Sequence, residues 1–120
     1  MPREENKAII RRLVEEALNQ GKRAIIDELF AGDFVDRSTP DQPPGPDGVK
    51  TYISLVRAGF PDLRVSIDDL IAEGDKVVIR TTWRGTRSSG QQSARTMIQI
   101  FRLADSKIVE EWNEGAGLLP

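Results

Sequence analysis

Three closely spaced runs in the last third of the chain most restrict what it can become: 75–87 (DKVVIRTTWRGTR), 95–103 (RTMIQIFRL) and 107–113 (KIVEEWN). Each has the period of two that sends successive side chains to opposite faces of a strand. Turn residues separate neighbouring strands, as in Glu73-Gly74-Asp75 and Ala104-Asp105-Ser106, so the runs are expected to pair as antiparallel hairpins. The first half of the chain carries helical periods instead. Residues 3–20 place Ile9, Ile10, Leu13, Val14, Ala17 and Leu18 at helical spacing, with Glu5, Arg11, Arg12, Glu15 and Glu16 interleaved, which predicts an amphipathic helix. Ala24, Ile25, Ile26, Leu29 and Phe30 mark a short second helix that stops near Gly32, and Phe34-Val35-Asp36 reads as a brief strand. Val49, Tyr52, Ile53, Val56 and Phe60 define a third helix, ended by Gly59-Phe60-Pro61, and Leu63, Val65 and Ile67 alternate as in a strand. Helices followed by strands describe an α+β fold, with N-terminal helices packed in a curved, mainly antiparallel sheet that leaves room for a pocket.

What such a chain can do is narrowed by what it lacks. Its 120 residues, 38% hydrophobic and 30% charged, suit one domain over residues 1–120. A net charge of -2 without a basic run argues against nucleic acid as a partner. No apolar run approaches the ~20 residues that span a bilayer, so no membrane partner is expected and a cytoplasmic location follows by default. With no cysteine and no histidine, disulfides, thiolate nucleophiles, His-based triads and the commonest zinc sets drop out, and neither a metal site nor a cofactor is expected.

Residues 38–48 (STPDQPPGPDG) hold four of the seven prolines and two glycines, which makes them a loop, placed at the rim of the pocket. On the 75–87 strand, hydrophobicity assigns Val77, Ile79, Thr81 and Trp83 to the core face and leaves Arg80 and Arg84 facing solvent or a second subunit. Met97, Gln99 and Phe101 alternate with Ile98 and Ile100, so both faces of that strand carry large apolar groups. Something must cover the outer face, and a homodimer formed sheet against sheet is the simplest cover. If Leu103 pairs with Ile108 and the register continues regularly, Phe101 opposes Glu110 and Gln99 opposes Trp112. That register puts Glu110 inside the sheet, where it needs an Arg partner, and sends Trp112 and Glu114 to the same face.

The phrases NQGKRAIIDELFAGDFVD, PPGPDGVKTYISLVRAGFPDLRVSIDDLIAEGDKVVIRTTWRGT and IFRLADSKIVEEW together resemble the SnoaL-like polyketide cyclases, a branch of the nuclear-transport-factor-two-like superfamily. The resemblance covers nearly the whole chain. It implies a cone-shaped α+β barrel closing over the N-terminal helix, an apolar cavity, a homodimer, and intramolecular aldol chemistry run by an acid/base set without a cofactor. The chain departs from the family pattern where that set usually lies. Arg37 and Arg87 stand where a His is usual, and Asn113-Glu114-Gly115 replaces the usual spaced Asp. In the similar limonene-epoxide hydrolases an Arg and two Asp surround a water; Arg80, which this analogy would instead turn inward, and Glu114 match two places, but Thr82 stands where an Asp is needed.

A carboxyl group enclosed in an apolar cavity is favoured in its neutral form, which is the requirement for proton transfer near neutral pH. Glu114 and Asp36 are the candidate catalytic groups. Trp112, Gln99, Tyr52, Trp83 and Phe101 are the candidate ligand-binding residues, suited to a small apolar or polycyclic molecule. Two readings stand side by side: an acid/base enzyme of the cyclase or isomerase type, and a non-catalytic ligand-binding or dimeric scaffold module that lacks the family's catalytic set.

Overall fold

In the computed structural model, which describes residues 2–115, the N-terminal stripe becomes a helix in two parts. Helix α1 (Pro2–Arg12) runs directly into a π-helical segment (Leu13–Leu18), and Ile10, Leu13, Val14, Ala17 and Leu18 are all buried. The wider turn shows at its end, where the Asn19 amide donates to the Val14 carbonyl five residues back at 3.0 Å. Gly21 then reverses the chain with φ +73°, a conformation that costs glycine little. Arg57 donates from Nη1 to the Leu18 and Asn19 carbonyls at 2.6 and 3.1 Å, satisfying acceptors that a helix end leaves orphaned.

Helix α2 (Ala24–Leu29), strand β1 (Phe30–Asp36) and helix α3 (Asp47–Gly59) follow, then four strands: β2 (Arg64–Glu73), β3 (Lys76–Thr86), β4 (Gln92–Ala104) and β5 (Lys107–Gly115). The sheet order is β1-β5-β4-β3-β2, with β1 parallel to β5 and every other pair antiparallel. The expected hairpins are therefore present. The expected barrel stays unclosed, because β1 and β2 are the two edges of the sheet and do not pair. The N-terminal helix packs against β2 and β3. Its end is fastened to the β2 edge by the Asn19 amide, which donates from Nδ2 to the Val65 carbonyl (2.9 Å) and accepts the Val65 N–H at Oδ1 (2.7 Å). That side chain supplies the pairing an edge strand otherwise lacks.

Between helices and sheet lies one apolar core in which Ile10, Ile26, Phe34, Val56, Phe60, Ile79, Trp83, Phe101 and Ile108 are buried. Each such side chain contributes about 1.5–3 kcal/mol by leaving water. Phe101, expected to contact ligand, is part of this core and wholly enclosed. β3 has the two faces read from its period: Val77, Ile79, Thr81 and Trp83 are buried, while Arg80 and Arg84 are exposed. Arg80 pairs outside with Asp69, Nε to Oδ2 at 2.6 Å.

β5 departs from regular alternation. Leu103 pairs with Ile108 as expected, but Arg102 pairs with Glu110, so Val109 is an extra residue on β5. The bulge moves every later pair by one: Phe101 opposes Glu111, Ile100 opposes Trp112, Gln99 opposes Asn113 and Ile98 opposes Glu114. A one-residue slip exchanges the two faces of a strand. Glu111 and Asn113 therefore share the concave face with Gln99, whereas Glu110, Trp112 and Glu114 share the outer face with Ile98 and Ile100. Glu110 does form the expected ion pairs, with Arg102 and with Arg37 (2.7 Å to Nε), but on the outside of the sheet.

Candidate functional site

The concave face of the sheet, the π-helical segment, α3 and the 38–46 loop enclose a cavity of about 390 Å³. Its apolar walls come from Leu13, Val14 and Leu18 of the π segment, Val49, Tyr52 and Ile53 of α3, Phe30 of β1, Trp83 of β3 and Met97 of β4. A volume of that size suits a small molecule of two or three rings. Trp83 offers the cavity an apolar surface because its indole N–H is already satisfied: it donates to Thr81 Oγ1 at 2.9 Å, which explains a wholly buried threonine. Tyr52 packs edge-on against Trp83, with ring centroids 6.3 Å apart.

The polar groups lie on one side, along β1, its following loop, β4 and β5. Asp36 and Glu111 are register partners across the parallel β1–β5 pair. Gln99 donates from Nε2 to Glu111 Oε2 at 2.9 Å, and both residues are only 9% exposed. Burial is the largest influence on Glu111 and the charge of Asp36 the second; hydrogen bonds from Gln99 and Asn113 oppose them, and the net effect pushes its carboxyl up to about 7. Tyr52 is pushed up to about 12, first by burial and then by the charge of Glu111. Asp36 sits at the rim, accepting from the Ser38 N–H (2.9 Å) and the Thr39 hydroxyl (3.2 Å). It is thus at once a turn-former and a cavity-lining carboxylate. Ser38 ties the loop to β5, accepting the Asn113 N–H at 2.8 Å, and a Gly45 N–H bond to the Phe34 carbonyl (2.7 Å) holds the far end of the loop on β1.

Of the residues singled out from sequence, Asp36, Gln99, Tyr52 and Trp83 line this cavity together. Glu114 and Trp112 do not. Glu114 is exposed on the outer face, and Trp112 is partly exposed there beside Ile98 and Ile100. Both displacements follow from the Val109 bulge. Glu111 and Asn113 were missed for the same reason, although two apolar residues followed by two acidic ones (Ile108-Val109-Glu110-Glu111) already break strict alternation. Among the described residues no group of three or more Asp or Glu could hold a metal ion, and no helix is long and apolar enough to cross a membrane.

Helices cradled in an open, curled sheet around a cavity with a buried carboxyl define the class of small α+β pocket proteins in which one frame carries several chemistries. The sequence profile of the SnoaL-like polyketide cyclases matches residues 8–115, and the chain belongs to that family. Its fold is similar to that of TsrD from Streptomyces laurentii, at 25% identity over 94% of this chain and 89% of that one, with a TM-score of 0.86. It is similar also to AclR from Streptomyces galilaeus, provisionally described as a hydroxylase (26% identity, 95% and 90% covered, TM-score 0.82). IdmH from Streptomyces antibioticus, provisionally described as a polyketide cyclase, matches at 28% identity with 92% and 91% covered and a TM-score of 0.79. No curated protein sequence matches the chain.

Proposed function

We propose that the protein is a cofactor-independent acid/base enzyme of the polyketide cyclase or isomerase type, acting on an apolar cyclic carbonyl compound held in the cavity. Glu111 is the proton-carrying group, in place of the Glu114 expected from sequence, and Asp36 is its partner. The observation that carries this reading is the placement of two adjacent carboxyl groups in one cavity with different surroundings. Glu111 is enclosed among apolar walls, while Asp36 is held at the rim by loop donors. Carboxyl groups whose environments separate their proton affinities are suited to opposite roles, one giving and one taking a proton.

The test is incorporation of solvent deuterium at the α-carbon of a bicyclic ketone, 2-tetralone, followed by NMR. The wild-type protein should accelerate exchange, with a rate governed by one group titrating near 7. Glu111→Gln should slow it by about a hundredfold or more, the usual contribution of a positioned acid or base. Binding of the ketone without any acceleration would make the protein a ligand-binding module instead. We further propose that the protein assembles as a homodimer through the outer sheet face, where Ile98 and Ile71 are 45% and 63% exposed, with Ile100 and Trp112 partly exposed beside Ile98.

A further inference from the structure

We propose that Arg64 and Arg84 form a binding site for a phosphate group, on the outer face of the sheet and separate from the cavity. Two guanidiniums without a carboxylate partner face each other across β2 and β3 there, and a third, from Arg11 of α1, lines the same groove.

Arg64 and Arg84 are direct register partners in the antiparallel β2–β3 pair, and both are exposed. Their Cβ atoms therefore stand about 5 Å apart on one face, the arrangement in which like charges destabilise a sheet. Other arginines of the chain are given carboxylates. Arg80 is held by Asp69 and Arg102 by Glu110 on this same face, and Arg12 is held by Glu16 and Glu28. Among the described residues neither Arg64 nor Arg84 makes an ion pair or a hydrogen bond. The carboxylates around them are already engaged. Asp68, which senses the charge of Arg84, accepts from the Ser66 and Thr82 hydroxyls and lies 3.8 Å from Arg80 Nη1. Asp62 accepts from the Thr86 N–H and hydroxyl, both at 2.8 Å.

The surface beside the pair has room for a ligand. Arg64 and Arg84 line two adjacent hollows, one shared with Thr86, Gln92 and Ser93, the other with Arg11, Glu15 and Ile67. The second has a volume of about 640 Å³, and its three arginines against one glutamate leave a local charge of +2 in a chain whose net charge is -2. The attraction is thus confined to this groove. A phosphate group is close to a dianion above pH 7, so it neutralises the pair, and its oxygens match two guanidinium forks at once. A carboxylate, with one charge and two oxygens, satisfies only one fork. An inorganic phosphate ion and a phosphate ester present this same chemistry, and Ile67 offers the organic part of an ester an apolar surface. Arg84 lies beyond Arg80 on β3, at the end of the sheet away from Val78, Ile100 and Trp112. A small anion can sit there whether or not a second copy covers those apolar side chains.

The test is calorimetric titration with inorganic phosphate, phenyl phosphate and acetate above pH 7 in a low-salt buffer, joined to thermal unfolding with and without phosphate. Both phosphates should bind and acetate should not. Tighter binding of phenyl phosphate assigns the group to an ester whose ring rests on Ile67, and equal binding assigns it to the free ion; either upholds the site. Arg64→Gln and Arg84→Gln should each weaken phosphate binding about tenfold, the loss expected for charge-assisted hydrogen bonds. Arg80→Gln removes the same charge from the same face and should change the affinity by less than about twofold, since exposed charges at a distance are screened. Without phosphate, Arg64→Gln and Arg84→Gln should melt no lower than wild type, because each relieves a repulsive pair, and phosphate should raise the Tm of wild type more than that of either variant. Equal weakening by Arg80→Gln would reduce the effect to general charge attraction and overturn the site. A wild-type protein that binds neither phosphate would overturn it too, as would a Tm loss in both arginine variants with phosphate affinity unchanged.

Discussion

Burial and the charge of Asp36 make the ionised form of Glu111 costly to the fold. The charged or titratable groups that share its cavity are Asp36 on β1 and Tyr52 on α3; the π segment, β3 and β4 present only apolar groups and the neutral Gln99. Its carboxyl lies near 7 in the folded protein against an ordinary 4.5. Between those values the folded state binds more protons than the unfolded chain, so this contribution to stability falls as pH rises from 4.5 through 7 and stays low above. Its full size is on the order of 3 kcal/mol. Glu111→Gln has no proton to lose. It should match wild type near pH 4.5 and exceed it at pH 8 by that order, as read by urea unfolding at the two pH values. Identical pH dependence in the two proteins would mean that Glu111 ionises as easily folded as unfolded. Gly85 is a second position where one atom matters. Its φ is not in the left-handed region, but an added Cβ would stand 2.8 Å from Cβ and Cδ1 of the buried Phe60, whose ring lies 4.8 Å from the Arg87 guanidinium carbon. Gly85→Ala should cost about 1–3 kcal/mol by overpacking, and an unchanged Tm would show that Phe60 can step aside.

Among the elements, the joint between the N-terminal helix and β2 adds to its packing two hydrogen bonds from one side-chain amide. Asn19→Ala removes a donor and an acceptor that Val65 uses in place of a neighbouring strand, and should destabilise the protein by about 1–3 kcal/mol in chemical denaturation. Amide exchange at Val65 should accelerate in the same variant, and protection equal to wild type would show that another group pairs with this edge. The strands themselves were legible wherever alternation was unbroken, and β3 lies with the two faces its sequence describes. β5 was legible as a strand, and Leu103 does face Ile108, yet its later residues were assigned to the wrong sides. The cause is local and physical. The Ile108-Val109-Glu110-Glu111 step breaks alternation, but whether Val109 is accommodated as a bulge depends on how β5 meets the hydrogen-bonding groups of β4, a non-local matter. Gln99 and Trp83 were legible because the β3–β4 register is unbroken, Tyr52 because it lies on a helical stripe, and Asp36 because it ends a short strand just before the proline-rich loop. The π-helical segment was not legible either, since an amphipathic stripe five or six residues long fits a turn of either width.

For the whole molecule, the outer surface of the sheet sets the last expectation. Ile98 lies at its middle, with Arg80 as its neighbour on β3 and Glu114 as its neighbour on β5, and Ile100 pairs with Trp112 one step along. A row of partly exposed apolar side chains between charged flanks is self-complementary about a twofold axis, which brings the apolar centre of one copy onto that of the other and sets flanking charges at the rim. An Asp at position 98 would be buried without a partner in such an interface, whereas in a monomer it stays in water with Arg80 beside it. Wild type should therefore scatter light as a dimer, and Ile98→Asp should scatter as a monomer that keeps its far-ultraviolet circular dichroism. The cavity lies on the other face of the sheet, so the monomeric variant should still bind 2-tetralone. A wild-type monomer at micromolar concentration, or an Ile98→Asp dimer, would place the interface elsewhere or remove it.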